Sequence, residues 1–490
     1  MANILPFPEY APDISPFGEE ESQVIQNAYP RKDGYGPVAA PAVYSSALST
    51  ACRGFFYARN ADASITVFAA TATKLYKLNN TDFTWSDVSK GAASYSSVPS
   101  SDQWQFAQFN NLVFAVQINT VPQVFDLTSS SAFADLGGSP PQSRYVAIVN
   151  RFVVLSGLGS ATPYRIQWSG LNATTTWTSG VNSSDFQDLP DGGPVRGVAG
   201  GENGLIMQDA SMRRMIYAPG SAYIFQIERL AQDKGIFAPL SLVRAGDRIF
   251  FCGNDGFQTL LPGGYPSFIG KERVDRTFFT DVDSSSLQLV LGAYDPKTSR
   301  VYWSYKSVSG SSSLFDKVLI YDFVLDRWSI ITGWSGEYLA SLARPGLTLE
   351  NLDSISSSID TLTFSLDDVA TGSLAALSMF DSAHKLNFFS GSNLEATLDS
   401  AEHELARARR VRVKGIRPDT DAATCYGSIG AREDIQSTPS YSTEQAINGK
   451  GLCPANVSTR LARGRIRIPA GTTWTFATGI EPAFTQEGLR

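Results

Sequence analysis

The sequence predicts an all-β protein whose body is a β-propeller of six or seven blades, and three observations carry that prediction. The first is composition. Of 490 residues only 18% are charged, while 43% are apolar and 56 are aromatic (29 Phe, 19 Tyr, 8 Trp). Such a chain can bury a large core, and its aromatic richness favours strands over helices. The second is the texture of the apolar runs. Ser64-Ile-Thr-Val-Phe68, Leu112-Val-Phe-Ala-Val116, Phe152-Val-Val-Leu155, Arg248-Ile-Phe-Phe251 and Val301-Tyr-Trp-Ser-Tyr305 are short, β-branched or aromatic, and separated by Asn/Asp/Gly turn clusters. The third is a period. Trp85, Phe133, Trp177, Phe225 and Phe268 follow one another at steps of 48, 44, 48 and 43, and Trp328 lies 60 further on. Val274–Ser286 reads as an insertion in that last step. A repeat in the forties with about four strands per unit matches propeller blades, which must stack to bury both faces. A pair of two-sheet sandwiches is the competing architecture.

The elements follow in order. Residues 1–50 form a Pro-rich arm with seven prolines in its first 41 positions. Proline lacks the N–H donor and fixes φ, so the arm is expected to run extended rather than as a helix or central strand. Ile4, Leu5, Phe7, Tyr10, Ile14 and Phe17 are too apolar for solvent, so it should dock on a surface, its own or a neighbour's. The propeller is assigned to residues 51–389. Residues 390–490 read as a smaller β unit resembling a sandwich, with charged and apolar side chains alternating in Val411–Lys414 and Gly464–Ile468. Only Ser400–Arg410 suggests a helix, its acids first and its arginines last.

Charge divides along the same lines. The C-terminal 390–490 segment holds 13 Lys+Arg and 11 Asp+Glu, or +2, leaving 27 against 36, or −9, for the rest of a chain whose total is −7. An acidic body disfavours general adhesion to nucleic acid. In the C-terminal unit Arg407, Arg410, Arg412, Arg465 and Arg467 read first as the solvated face of charged strands and second as a subunit interface. The N-terminus shows neither a basic region nor an apolar core of a secretory signal, and no run is long enough to span a membrane.

The usual catalytic sets fail to assemble. His384 and His403 are the only imidazoles, neither within a zinc-binding spacing, and there is no G-x-S-x-G elbow or phosphate loop. Asn80-Thr-Asp-Phe-Thr-Trp85 lacks the glycine of a sialidase box. Asp185, Asp188, Asp191 and Asp255 stand near turns and keep a two-carboxylate glycosidase open as an alternative, alongside a glycan-binding adhesin. No catalytic residue, cofactor or metal ligand is assigned. Cys425 and Cys453 share the C-terminal unit and could pair; Cys52 and Cys252 read as buried thiols.

Several landmarks, in order, resemble the tail nozzle (tail hub) proteins of short-tailed bacteriophages. They begin with Asn27-Ala-Tyr-Pro-Arg-Lys-Asp-Gly-Tyr-Gly-Pro37, then Trp104-Gln-Phe-Ala-Gln-Phe-Asn110 and Pro122-Gln-Val-Phe-Asp126. Gln167-Trp-Ser-Gly170, Gly256-Phe257, Ile269-Gly270, Val274-Asp-Arg276 and the closing Trp474…Gly479-Ile-Glu-Pro482…Gly488-Leu-Arg490 complete the series. The resemblance implies a structural virion protein, assembled in the host cytoplasm. It would form a ring, expected to be a homohexamer, below the portal and adaptor ring. Genomic DNA would be retained and then conducted through the lumen without sequence-specific binding. A tailspike or tail fibre and a needle or plug protein would be its neighbours. Asn27, Tyr29, Pro30, Asp33, Gly34, Tyr35 and Pro37 are then the expected arm contacts for assembly.

Overall fold

The computed structural model describes residues 4–15, 21–221, 223–261, 263–311, 313–343, 375–406 and 409–487. These residues are mostly β, arranged as many small antiparallel sheets. Six four-stranded meanders follow one another along the chain, the sixth continuing into a larger sheet, and a seventh four-stranded sheet is completed from the arm. Sheet A comprises Gly54–Arg59, Ile65–Ala70, Leu75–Leu78 and Trp85–Asp87; sheet B comprises Gln105–Phe109, Leu112–Gln117, Thr120–Asp126 and Ala134–Asp135. Sheet C uses Ser143–Val149, Phe152–Leu158, Arg165–Trp168 and Asp185–Asp188, and sheet D uses Val195–Ala199, Gly204–Gln208, Ser211–Tyr217 and Phe225–Gln232. Sheet E is Val243–Ala245, Arg248–Gly253, Gly256–Leu260 and Ser267–Phe268; sheet F is Gly292–Asp295, Arg300–Tyr305, Lys317–Asp322 and Arg327–Ile331. Sheet G takes three strands from its own region, Gly336–Ala343, Ala375–Asp381 and Lys385–Asn393, and its outer strand, Ala39–Ala47, from the N-terminal arm.

Burial explains why these segments are strands. Ile65–Ala70, Phe152–Leu158 and Gly204–Gln208 are buried at every position, as strands must be when another sheet covers each face. The turns are equally local in origin. Asn110 and Asn150 occupy the left-handed region at φ 53° in the tight hairpins joining the first two strands of sheets B and C. The aromatic period also has a structural meaning. Trp85, Phe225, Phe268 and Trp328 lie in the fourth strands of sheets A, D, E and F, Phe133 adjoins that of B, and Trp177 sits in the loop before that of C.

First strands pack against first strands from sheet to sheet: A on B, B on C, C on D, E on F, F on G, and G back on A. Sheets D and E share a cluster of Ala199, Leu205, Met207, Met212, Ile236, Phe251 and Leu260. Trp104, fully buried, donates its Nε1–H to Thr71 O at 2.9 Å and joins sheet B to sheet A.

The remaining strands knit the two chain ends together. Sheet F continues through Ile25–Gln26 of the arm, which pairs parallel with Ile330 and antiparallel with Thr397 and Leu398, into Ala396–Asp399, Leu461–Ile468 and Tyr426–Arg432. A second sheet combines Val411–Thr420, Cys453–Thr459 and Ala477–Gln486 with three arm strands, Leu5–Pro6, Ala28–Arg31 and Gly34–Pro37. The C-terminal unit is therefore built from both termini. Pro30 and Pro41 fall on edge strands, where the missing N–H costs no ladder bond.

One expectation is corrected. Ser400–Arg410 forms no helix in its described residues; His403 bridges Ala462, and Glu402 turns inward to meet two arginines. That buried ion pairing overrides the charge order that suggested a helix. Among the described residues the α-helix is instead Asp275–Asp281, within the segment read as an insertion between the fifth and sixth repeats.

Candidate functional site: the arm seam

The arm motif folds as a hairpin, and most of its residues are buried. Asn27, at φ 58°, donates from its backbone N to Ile330 O (2.8 Å) and from Nδ2 to Glu395 O (2.8 Å), while its Oδ1 accepts from Thr332 N (2.9 Å). One side chain thus stitches sheet F to the C-terminal unit. Tyr29 meets Tyr302 edge-on at 6.4 Å and carries the Arg300 guanidinium over its ring at 4.4 Å. Arg300 also donates to Pro30 O at 3.0 Å. Tyr35 is fully buried and donates to Pro8 O at 2.7 Å. Gly34 leaves no space for a side chain, since a Cβ would stand 2.3 Å from Ala477 O. Pro37 pairs with Ala28, and only the tip Arg31-Lys32-Asp33 is exposed.

Further toward the N-terminus the arm docks on the helix. Asp13, 6% exposed, accepts from Arg276 N (2.7 Å), Thr277 N (2.8 Å) and Thr277 Oγ1 (2.6 Å). An aspartate distant in sequence thereby satisfies the first-turn donors of a helix that has no cap of its own. Glu9 pairs with Arg273, which also reaches Asp326 at 2.8 Å.

Behind Asp13 lies Asp275, 7% exposed, whose Oδ1 accepts from Phe257 N at 3.0 Å and whose Oδ2 is buried without a partner. A Cβ on Gly256 or Gly270 would come within 2.0 or 2.1 Å of this carboxylate, so both positions must be glycine. Burial, with the Asp13 charge adding to it, pushes the Asp275 carboxyl up to about 6. The Phe257 ring packs on Phe278, Trp303 and Trp328 at 4.7–5.4 Å, and Trp328 donates to Ile269 O at 3.1 Å. Gly256-Phe257, Ile269-Gly270 and Val274–Arg276 are thus one knot around one carboxylate. The sequence singled out those three pieces but not Asp13, Glu9 or Arg273, which have no distinguishing local pattern.

The C-terminal arginines are paired within the chain. Arg410 meets Glu433 at 2.9 Å, and Arg412 meets Asn456 at 2.7 Å and Glu487 at 4.0 Å. Arg465 clasps Asp399 bidentately (2.6 and 2.8 Å) with its guanidinium 3.8 Å from the Tyr441 ring centre, and Arg467 bridges Glu395 (3.0 Å) and Glu444 (2.8 Å). Arg407 lies outside the described residues. The strand alternation is as read, with Val411 and Val413 buried and Arg412 and Lys414 exposed. Glu402 is buried between Arg432 (2.5 Å) and Arg463 (2.8 Å).

The turn acids are also engaged. Asp188 takes a bidentate pair with Arg165 (2.6 and 2.9 Å), Asp185 accepts from Ser179 (2.6 Å), Asp191 binds Arg213 (2.5 Å) and Arg229, and Asp255 binds Lys234. Among the described residues no three His, Cys, Asp or Glu side chains stand together as a metal site, and no helix is long and apolar enough to cross a membrane. His384 Nδ1 lies 2.6 Å from Glu337, whose other oxygen accepts from Cys52 N at 2.9 Å. Cys425 and Cys453 are buried free thiols, Cys453 Sγ lying 4.0 Å from Cys425 O.

First strands also line two cavities. One, of ≈ 440 Å³, draws on sheets A, E, F and G; the other, of ≈ 190 Å³, draws on sheets B, C, D, F and G, and the two share Leu242, Gly292, Tyr338 and Leu339.

No family model and no curated protein matches this chain. Among solved structures, the computationally designed Ika8 protein aligns with 72% of this chain and 100% of its own, at 10% identity and a TM-score of 0.36. The extracellular domain of a hybrid two-component system from B. thetaiotaomicron aligns with 81% of this chain and 45% of its own, at 9% identity and a TM-score of 0.41. Likenesses this distant carry no argument about function.

Proposed function

We propose that the seven four-stranded sheets are propeller blades, the last completed by the arm strand Ala39–Ala47, and that the protein is a tail nozzle (hub) subunit of a short-tailed phage. First-strand contacts link every neighbouring pair of sheets except D and E, which share a hydrophobic cluster instead, and this succession supports the propeller. The observation that carries the functional reading is the knot at Asp275. Three landmarks of the nozzle resemblance, spaced over residues 256–276, meet there, and the arm is fastened across them through Asp13. A mechanical role asks for this kind of seam, because a ring subunit must hold its arm against load while DNA passes. In this reading the subunits form a hexameric ring beneath the adaptor, the exposed Arg31–Asp33 tip touches a neighbour, and the acidic body keeps DNA mobile in the lumen. A tailspike or fibre and a plug protein would bind its outer and distal faces.

Native mass spectrometry of the full chain, alone and with an adaptor ring, tests the proposal. Hexamers, or adaptor-dependent assembly, are expected; a strictly monomeric species under both conditions would overturn it. The glycosidase alternative has no comparable support, its candidate acids Asp185, Asp188 and Asp255 each being held by a neighbouring side chain.

A further inference from the structure

Two of the four cysteines stand together. Cys425 directly precedes the strand Tyr426–Arg432 of the extended sheet F, and Cys453 opens the strand Cys453–Thr459 of the second sheet. They lie 28 positions apart in sequence, yet Cys453 Sγ is 4.0 Å from Cys425 O. Gly427 permits the approach. A Cβ there would stand 2.7 Å from Cys453 Cβ, so only glycine lets Cys453 settle so closely on this strand. The two thiols share a hydrogen bond, and Cys425 Sγ also lies 3.7 Å from Tyr426 O.

The surroundings set the two sulfurs apart. Their mutual hydrogen bond, together with burial, pushes the Cys425 thiol up from its ordinary value. The same bond draws the Cys453 thiol down against the effect of burial, which makes Cys453 the better thiolate. Cys52 and Cys252 differ. Each donates to a nearby carbonyl, Gly54 O at 3.3 Å and Gly253 O at 3.9 Å, and burial holds both thiols up. Cys425 and Cys453 are buried, but each lies close to an exposed turn, Ala423–Thr424 for one and Asn448–Lys450 for the other. Opening of either turn admits a small neutral oxidant and bars a protein-sized one.

We propose that Cys425 and Cys453 form a redox-active dithiol, which hydrogen peroxide converts to a disulfide joining the two sheets of the C-terminal unit. The Cys453 thiolate attacks a peroxide oxygen and breaks the O–O bond, leaving a sulfenic acid and a hydroxide that takes up the thiol's proton as water. Cys425 then attacks the Cys453 sulfur. The S–S bond forms, the S–O bond breaks, and the expelled hydroxide leaves with the Cys425 proton as a second water. Both thiols are oxidised and the peroxide is reduced to water. The new bond ties sheet F to the sheet that carries the arm strands Leu5–Pro6, Ala28–Arg31 and Gly34–Pro37. This chemistry is independent of the tail reading.

Treatment of the reduced, folded full chain with hydrogen peroxide, followed by peptide mapping and mass spectrometry, tests it. A peptide cross-linked from Cys425 to Cys453 is expected, reversed by dithiothreitol and formed about tenfold or more faster than any oxidation of Cys52 or Cys252. In Cys425→Ser the sulfenic acid has no resolving thiol, so a dimedone adduct should accumulate on Cys453. In Cys453→Ser, Cys425 should stay unlabelled. The parent's map alone decides where a variant fails to fold. Four outcomes would each overturn it: no cross-linked peptide from the folded parent, a disulfide between separate chains, oxidation of all four cysteines at one rate, or dimedone on Cys425 in Cys453→Ser.

Discussion

Asp275→Asn probes the knot on which the arm is fastened. The carboxyl's rise from an ordinary 3.8 to about 6 is about 2.2 pH units. At ~1.36 kcal/mol per unit this is about 3 kcal/mol, which residual solvent screening lowers to about 2 kcal/mol. The sign follows from proton linkage. A carboxyl whose folded pKa is raised contributes stability that is complete below 3.8 and lost as pH rises through about 6. Above that point the ionised Asp275 is buried beside Asp13 on the arm and Cys252 in sheet E, with Arg273 and Arg276 next along the chain. Asparagine has nearly the same shape, keeps an oxygen for Phe257 N and cannot ionise. Urea unfolding followed by tryptophan fluorescence should therefore show Asp275→Asn more stable than the parent by about 2 kcal/mol near pH 8 and equal to it within ~0.5 kcal/mol near pH 4. A difference independent of pH, or a variant less stable near pH 8, would mean that the buried Asp275 charge does not destabilise the knot.

Two further substitutions separate the seam from the C-terminal unit. Asp13→Ala removes the acceptor for two helix N–H groups and a hydroxyl, and should cost about 2–3 kcal/mol in urea unfolding and expose the arm to limited proteolysis. An arm as protease-resistant as before would argue that Asp13 does not hold it. Glu402→Gln leaves Arg432 and Arg463 buried without their counter-charge and should cost about 3–5 kcal/mol; a loss under ~1 kcal/mol would mean the pair relaxes into solvent.

The fold was legible where it is local. Alternating or continuous apolar runs marked the strands, Asn, Asp and Gly clusters marked hairpins (Asn79-Asn80, Asp255-Gly256, Gly263-Gly264) and crossings between sheets (Gly137-Gly138, Asp191–Gly193), and the closing aromatics other than Trp177 fell in or beside the outer strands. The insertion at Val274–Ser286 was legible because it broke the period. What the sequence hid is long-range pairing. Ile25–Gln26 is a two-residue strand with no pattern of its own, yet it joins sheet F to Ala396–Asp399. Ala39–Ala47 carries Pro41 and reads as arm, but an edge position in sheet G tolerates a proline. The false helix at Ser400–Arg410 has the same origin. Its charge order suited a helix dipole, whereas Glu402 is committed to Arg432 and Arg463, which are distant in sequence. In the seam, Gly256, Gly270 and Asp275 entered only as landmarks of the resemblance, and the structure gives the close packing around the Asp275 carboxylate as what those positions share. Asp13 and Glu9 did not, since a carboxylate in a Pro-rich segment looks the same whether it is solvated or buried.

Whether this chain assembles as the proposed ring-forming propeller subunit is decided by electron microscopy of the purified chain, alone and with an adaptor ring. Rings with a central channel are expected, each subunit showing blades about its own axis and an arm lying along the C-terminal unit. Isolated globules under both conditions, or subunits without a bladed outline, would contradict it.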